Sequence, residues 1–254
     1  MSSQNFPFQY EQRVVAFIDI LGFKNQLVKS YTDASAFKVI HDALTELQET
    51  FNDPMKGDSE EGKKALRIDT QTIQVSDSLI ISRLAEERGG IYSMLFDCSY
   101  AIHTLIRHGF LCRGAITVGQ MYHKGSLMFG EAFVRAYQTE AAEKLPIIKF
   151  DQALYDLAKQ YPSMGNEGYG DEEVNYLAEN CKELTPGIYY LDYFTDYDNR
   201  FGWDEGDASV QYDSLRKIIV NGLSAGPATS FYDKYRWAAD QFNLSADRFQ
   251  LAPI

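Results

Sequence analysis

An apolar run, Val14-Val15-Ala16-Phe17-Ile18-Asp19-Ile20-Leu21-Gly22-Phe23, sets one acid near its end and then turns on a glycine. A second apolar stretch, Val75-Ser76-Asp77-Ser78-Leu79-Ile80-Ile81, holds another acid. A continuous apolar segment of this length reads as a buried strand. A carboxylate among β-branched residues gives up hydration and needs compensation, and a divalent cation supplies it to hard oxygen donors. Either acid alone is an ordinary strand-end or turn residue. The pair resists that reading, because Asp19 lies inside its run and Asp77 interrupts a stretch that otherwise continues as strand.

With 45% hydrophobic and 14% aromatic residues, 254 residues suffice for one elaborated domain over 1–254 with a full core. The net charge of −12 sets the surface against phosphate backbones and anionic lipid, so neither nucleic acid nor a membrane is expected as a partner. No apolar run approaches the ~18 residues that span a bilayer, and residues 1–5 lack the basic start of a secretory signal, so a cytoplasmic location is expected. Cys98, Cys112 and Cys181 are spaced unlike a zinc or redox motif and read as free thiols.

Residues 13–20 form the first expected strand, followed by a turn at 21–23 and a helical stretch with Leu27, Phe37, Ile40, Leu44 and Leu47 as its apolar positions. A polar loop at 52–64 leads to strands at 66–76 and 78–84, joined at Asp77 as a hairpin whose tip lies beside the end of the first strand. Residues 91–108 carry apolar positions at helical spacing, and His103 and His108, five apart, share no face and read as structural. A strand at 110–118, a turn at 119–125, a helix at 129–144 with Phe133, Ala136, Tyr137 and Ala141 inward, and a strand at 147–150 follow. The order is βαββαβ and then αβ, an α+β, ferredoxin-like arrangement with an antiparallel-dominated sheet and helices on one face. A helix at 151–161, a loop at 162–170, a strand at 187–193, a break at 204–207 and helices at 210–223 and 228–243 complete the reading. The core spans 13–160, and 161–254 is a helical, aromatic C-terminal elaboration.

With the first strand beside the hairpin tip, Asp19 and Asp77 share one or two Mg2+ or Mn2+ ions, and the backbone carbonyl of Ile20 is a third oxygen donor. The turn leaves amides near Gly22 and Phe23 open to phosphate oxygens at a helix N-terminus, with Lys24 adding charge.

Phe17-Ile18-Asp19-Ile20-Leu21-Gly22-Phe23 resembles the opening metal motif of class III nucleotide cyclases, and Val75-Ser76-Asp77-Ser78 resembles their second. Arg113-Gly114-Ala115-Ile116-Thr117-Val118-Gly119 is similar to the family's strand ending in glycine, and Phe129 to Glu140 to its glycine-to-helix segment. The resemblance covers roughly residues 13–160, with the four matches in the family's order. It departs at two helix positions: Val134 stands where these cyclases place an asparagine, and Gln138 where they place the arginine that steadies the transferred phosphate. Arg113, or Arg135, is then the source of that charge, and Gln138 a hydrogen-bonding group only. The two purine-reading positions align with Ile73 and Leu127, neither of which can hydrogen-bond a purine edge, and an unpaired base group is discriminated against by several kcal/mol.

The fuller pattern, with the tail Lys234-Tyr235-Arg236-Trp237, resembles the pyrimidine cyclases of bacterial Pycsar antiphage systems. The resemblance implies conversion of UTP, or of CTP as runner-up, to the cyclic monophosphate and pyrophosphate with two Mg2+ or Mn2+ ions per site. It also implies a homodimer with sites at the subunit interface and a separate effector that senses the cyclic nucleotide. In that reading Asp19 and Asp77 hold the ions, amides at Leu21, Gly22 and Phe23 cradle the outer phosphates, and Arg113 meets charge at the transferred phosphorus. Gln74, Gln71 and Thr72 stand on the strand before Asp77 with amide or hydroxyl groups to offer the base, and alternation alone does not assign which of them faces it. The alternatives are a purine cyclase and a catalytically inactive nucleotide-binding or interaction module.

Overall fold

In the computed structural model, which describes residues 9–51, 68–195 and 205–254, the first apolar run forms β1 (Glu11–Ile20) and is paired along both edges. Its side chains feed two cores. Val14, Ala16, Ile18 and Ile20 enter the larger, while Val15 and Phe17 enter a smaller one with Ile80, Met121, Ala132 and Ala136. Both faces of the strand are therefore covered, which is why the run shows no polar alternation.

Gly22 follows at φ +78°, a left-handed conformation that glycine takes without a Cβ penalty, and α1 (Phe23–Ser30) begins. The expected single helix is two. Asp33 Oδ1 accepts the backbone N–H of Ser35 at 2.9 Å and of Ala36 at 3.3 Å, a side-chain cap that starts α2 (Ala34–Phe51) afresh. The new helix buries Ala36, Ile40, Ala43, Leu47 and Phe51, a stripe that leaves Phe37, expected inward, 59% exposed.

The hairpin consists of β2 (Gln71–Val75) and β3 (Ser78–Leu84), with β3 antiparallel to β1. The expected loop at 52–64 lies outside the described residues. α3 (Gly90–Arg107) buries His103, and His108 Nε2 contacts Glu46 Oε2 at 2.7 Å. β4 (Cys112–Lys124) runs past the expected turn, because Gly119 is paired with Arg13 of β1 and the ladder overrides a lone glycine. The chain turns instead at Gly125 and returns as β5 (Leu127–Gly130).

α4 (Glu131–Ala142) packs Ala132 and Ala136 on the smaller core, on the sheet face opposite α2 and α3. Helices thus lie on both faces and not on one, as a strand apolar on both sides requires. Tyr137 and Ala141, expected inward, are exposed, and Ala132, Ala136 and Glu140 take the inward positions.

β6 (Ile148–Asp151), α5 (Ala153–Gln160), α6 (Gly170–Ala178), β7 (Cys181–Thr185) and β8 (Ile188–Leu191) follow. Neither α6 nor β7 was expected. The sheet order is β2-β3-β1-β4-β6-β8-β7, with β5 on β4, and among the described strands only β4 and β6 pair in parallel. Its β2-β3-β1-β4 part is the antiparallel βαββαβ order, so the fold is α+β with a mostly antiparallel sheet.

α7 (Glu205–Ser224) and α8 (Tyr232–Asn243) cover the larger core with Tyr212, Leu215, Ile219 and Phe242, and Trp237 meets Phe194 edge-on at 5.4 Å. α7 starts within the expected break, at Glu205. Cys98 and Cys112 are buried free thiols, and Cys181 is a partly exposed one. Among the described residues no helix is long and apolar enough to cross a membrane.

Candidate active site

Backbone hydrogen bonding brings the two acids of the apolar runs to one end of the sheet. The N–H of Ile20 donates to the carbonyl of Asp77 at 3.1 Å, which fastens the β2–β3 turn onto the end of β1. Strand register sets Asp19 opposite Ser78 on one edge and opposite Arg113 on the other. Ser76, beside Asp77, has φ +55°, so the turn that presents this acid holds a non-glycine residue in the left-handed region.

Asp19 is largely buried, with its side chain 21% exposed. Ser78 Oγ lies 3.5 Å from its Oδ1 and Arg113 Nη2 lies 3.8 Å from its Oδ2. Burial, then the charges of Glu140 and Asp77, push the Asp19 pKa up to about 6, against the opposing pull of Arg113 and Ser78. Arg113 joins Asp19 and Glu140, and the Ile20–Asp77 backbone bond sets Asp77 at the same strand end, so the three acids belong to one cluster.

Glu140 was not anticipated from the sequence. It is buried on α4 and ion-paired with Arg113 Nε. Burial raises its pKa, Arg113 lowers it, and Asp77 raises it further. Its signal was its spacing: Ala132, Ala136 and Glu140 recur every four residues along one helix face, an acid in an otherwise apolar stripe. Arg113 also donates through Nη1 to the carbonyl of Glu143 at 3.0 Å, so its guanidinium is fixed from two sides.

The remaining expected residues divide. The N–H of Leu21 is engaged by the carbonyl of Leu111 at 2.8 Å, and those of Asn25 and Gln26 by the carbonyl of Gly22. The amides of Gly22, Phe23 and Lys24 are thus the ones ahead of the first helical bond, and Lys24 is exposed beside them. Gln74 donates its amide N–H to the carbonyl of Leu44 at 3.1 Å, while its buried Oε1 has no partner among the described residues. It lines a cavity of about 480 Å³ together with Tyr31, Phe37 and Ser76.

Two residues are not brought to this cluster. Arg135 donates to the carbonyl of Val118 at 3.1 Å, and Val118 pairs with Val14. That is five residues back from Asp19 along β1, roughly 17 Å. Gln138 is exposed and, two residues from Glu140, lies about 200° around α4 from it.

Among the described residues no three His, Cys, Asp or Glu side chains form a group that could hold a metal ion. Two carboxylates at one strand end, Asp19 and Asp77, are hard oxygen groups of the kind that suit Mg2+ or Mn2+, which one or two acids hold with the rest of the shell from water and substrate phosphate. A desolvated carboxyl repelled by two other acids is also one that a cation would return to its ionised form.

No family model and no curated protein matches the chain. Among solved structures it is similar to the adenylyl cyclase CyaB from P. aeruginosa, at 14% identity over 72% of this chain and 95% of that one, TM-score 0.43. It is also similar to the guanylate cyclase domain of RhGC from Catenaria anguillulae in complex with GTP, at 13% identity over 73% and 98%, TM-score 0.42. A third is the monomeric guanylyl cyclase domain of the RhoGC fusion protein from the aquatic fungus Blastocladiella emersonii, at 15% identity over 72% and 96%, TM-score 0.41.

Proposed function

We propose that the protein is a nucleotide cyclase that converts a pyrimidine nucleoside triphosphate, UTP before CTP, to the 3′,5′-cyclic monophosphate and pyrophosphate. The observation that carries this reading is the Ile20–Asp77 backbone bond, which sets Asp77 against the strand end where Asp19 is desolvated. Asp19, Asp77 and the Ile20 carbonyl would hold the ions. Bound Mg2+ or Mn2+ supplies charge neutralisation on the triphosphate and acidifies the ribose 3′-hydroxyl.

The 3′-hydroxyl gives up its proton to water as its oxygen attacks the α-phosphorus in line, and the bond from that phosphorus to the bridging oxygen of the leaving pyrophosphate breaks. Arg113, held beside Asp19 by Glu140 and the Glu143 carbonyl, meets the charge on the transferred phosphoryl group. The amides of Gly22 and Phe23, with Lys24, receive the outer phosphates. On β2, Thr72 Oγ1 is engaged by the Phe51 carbonyl and Gln71 by Asp69 and Gly125, so Gln74 offers the free acceptor for an N–H of a pyrimidine. Ile73 offers a purine edge no hydrogen bond.

A homodimer with a twofold axis suits the residues left over. Arg135 and Gln138 face away from their own cluster, on a surface where Leu127, Phe129, Val134 and Tyr137 are between 45% and 57% exposed. There they would serve the partner's site. The product is a second messenger for antiphage defence, read by a separate effector.

The test is incubation of the purified chain with each of the four ribonucleoside triphosphates and Mn2+, followed by mass analysis for pyrophosphate and cyclic product. UTP turnover that is abolished in Asp19→Ala and Asp77→Ala is the expected result. Preference for ATP or GTP identifies a purine cyclase instead, and turnover of none identifies a binding module.

A further inference from the structure

The C-terminal helix closes a second cavity onto the turn after Asp19. This cavity, of about 460 Å³, is bounded by Gly22 and Lys29 on one side, by Gly109 below, and by Ser230, Lys234 and Tyr235 from the α8 end. Its size falls within the range of small-ligand sites.

Lys234 is half-buried there, and among the described residues it makes no ion pair or hydrogen bond. Burial, and then the positive charge of Arg113, hold its ammonium below the usual lysine range. Lys234 and Lys29, from distant parts of the chain, both line this cavity in a protein of net charge −12. A half-buried ammonium that makes no ion pair among the described residues is stabilised by an anion that enters the cavity beside it. The anion that suits two cations is one with several charged oxygens.

We propose that Lys234 binds the terminal phosphates of the triphosphate substrate, and the pyrophosphate product, within this cavity. The C-terminal elaboration then supplies a substrate-binding residue as well as packing. This inference rests on the proposed cyclase reading for the identity of its anion but can fail or stand apart from it.

Calorimetric titration of the full chain with magnesium pyrophosphate, UTP and UMP provides the test, using Lys234→Gln, Lys234→Arg and, as control, Lys217→Gln, an exposed residue paired with Asp213. Lys234→Gln is expected to weaken pyrophosphate and UTP by about ten-fold or more and UMP little, with Lys234→Arg restoring binding. In turnover the same variant is expected to raise KM more than it lowers kcat.

A labelling measurement on the unaltered protein covers the case in which a variant fails to fold. Magnesium pyrophosphate is expected to protect Lys234, and not Lys217, from an amine-reactive ester. Unchanged pyrophosphate affinity in Lys234→Gln, or labelling of Lys234 that pyrophosphate does not slow, overturns the proposal even if UTP is cyclised. Lys234-dependent pyrophosphate binding without turnover of any triphosphate sustains it while sinking the cyclase reading.

Discussion

Replacing Asp19 with asparagine is expected to stabilise the metal-free protein while abolishing turnover. The Asp19 carboxyl rises from 3.8 to about 6 on folding, roughly 2 pKa units, which at about 1.4 kcal/mol each penalises the ionised form by ~3 kcal/mol. The side chain is 21% exposed, and screening by that solvent brings the figure to about 1–2 kcal/mol. Because the folded value lies above the unfolded one, the favourable contribution of this group is complete below 3.8 and lost as pH rises through about 6.

At about pH 7.5 the unaltered protein carries the whole penalty and the asparagine variant none, so the variant is expected to melt about 3–6 °C higher for a chain of this size. At about pH 5 the gap is expected to be roughly half as large. Thermal denaturation in chelator at both pH values reads the difference. A variant that melts at or below the unaltered protein at the higher pH refutes the reasoning, as does a gain independent of pH. Added Mn2+ is expected to raise the midpoint of the unaltered protein alone.

A Cβ at Gly114 would stand 2.4 Å from the Phe17 carbonyl oxygen, so Gly114→Ala forces β1 and β4 apart and is expected to lower stability by about 3 kcal/mol or more, read by urea denaturation; an unchanged midpoint counts against the packing. Glu140→Gln removes the strongest negative neighbour of Asp19 and is expected to move the acidic limb of the pH–rate profile to lower pH, which an unmoved limb contradicts. Burial and then Arg13 lower His123 to about 4, so it is neutral in the fold. The stability it contributes is present above about 6.5 and lost as pH falls through about 4, at no more than about 1.4 kcal/mol per pH unit, and His123→Gln is expected to flatten that slope in denaturation curves.

Strong local patterns made the central part of the fold legible. The apolar run of β1, the hairpin interrupted at Asp77 and the periodic stretch of α3 each carry their own signal, and together they yield the βαββαβ order. Elements held by polar contacts were not legible. α6 buries only Glu173 and Leu177, and its Glu173 is buried because it accepts from Ser163 and Asn166, so no apolar period marks the helix. The division of α1 from α2 depends on one capping aspartate, and the continuation of β4 past Gly119 depends on a neighbouring strand.

The same division runs through the candidate site. Asp19 and Asp77 stand out because each breaks an apolar run. Glu140 and Lys234 are ordinary charged residues along the chain and acquire meaning only when packing sets Glu140 against Arg113 and Lys234 into the cavity beside Gly22.

Asp19 occupies the penultimate rung of a strand whose ladder is closed on both edges. Such a mount is stiff, so any on–off control of this centre has to come from parts that arrive separately: the β2–β3 tip, the terminal helix, or another copy of the chain. A regulator that acted by loosening the strand itself would melt the protein before it silenced the chemistry.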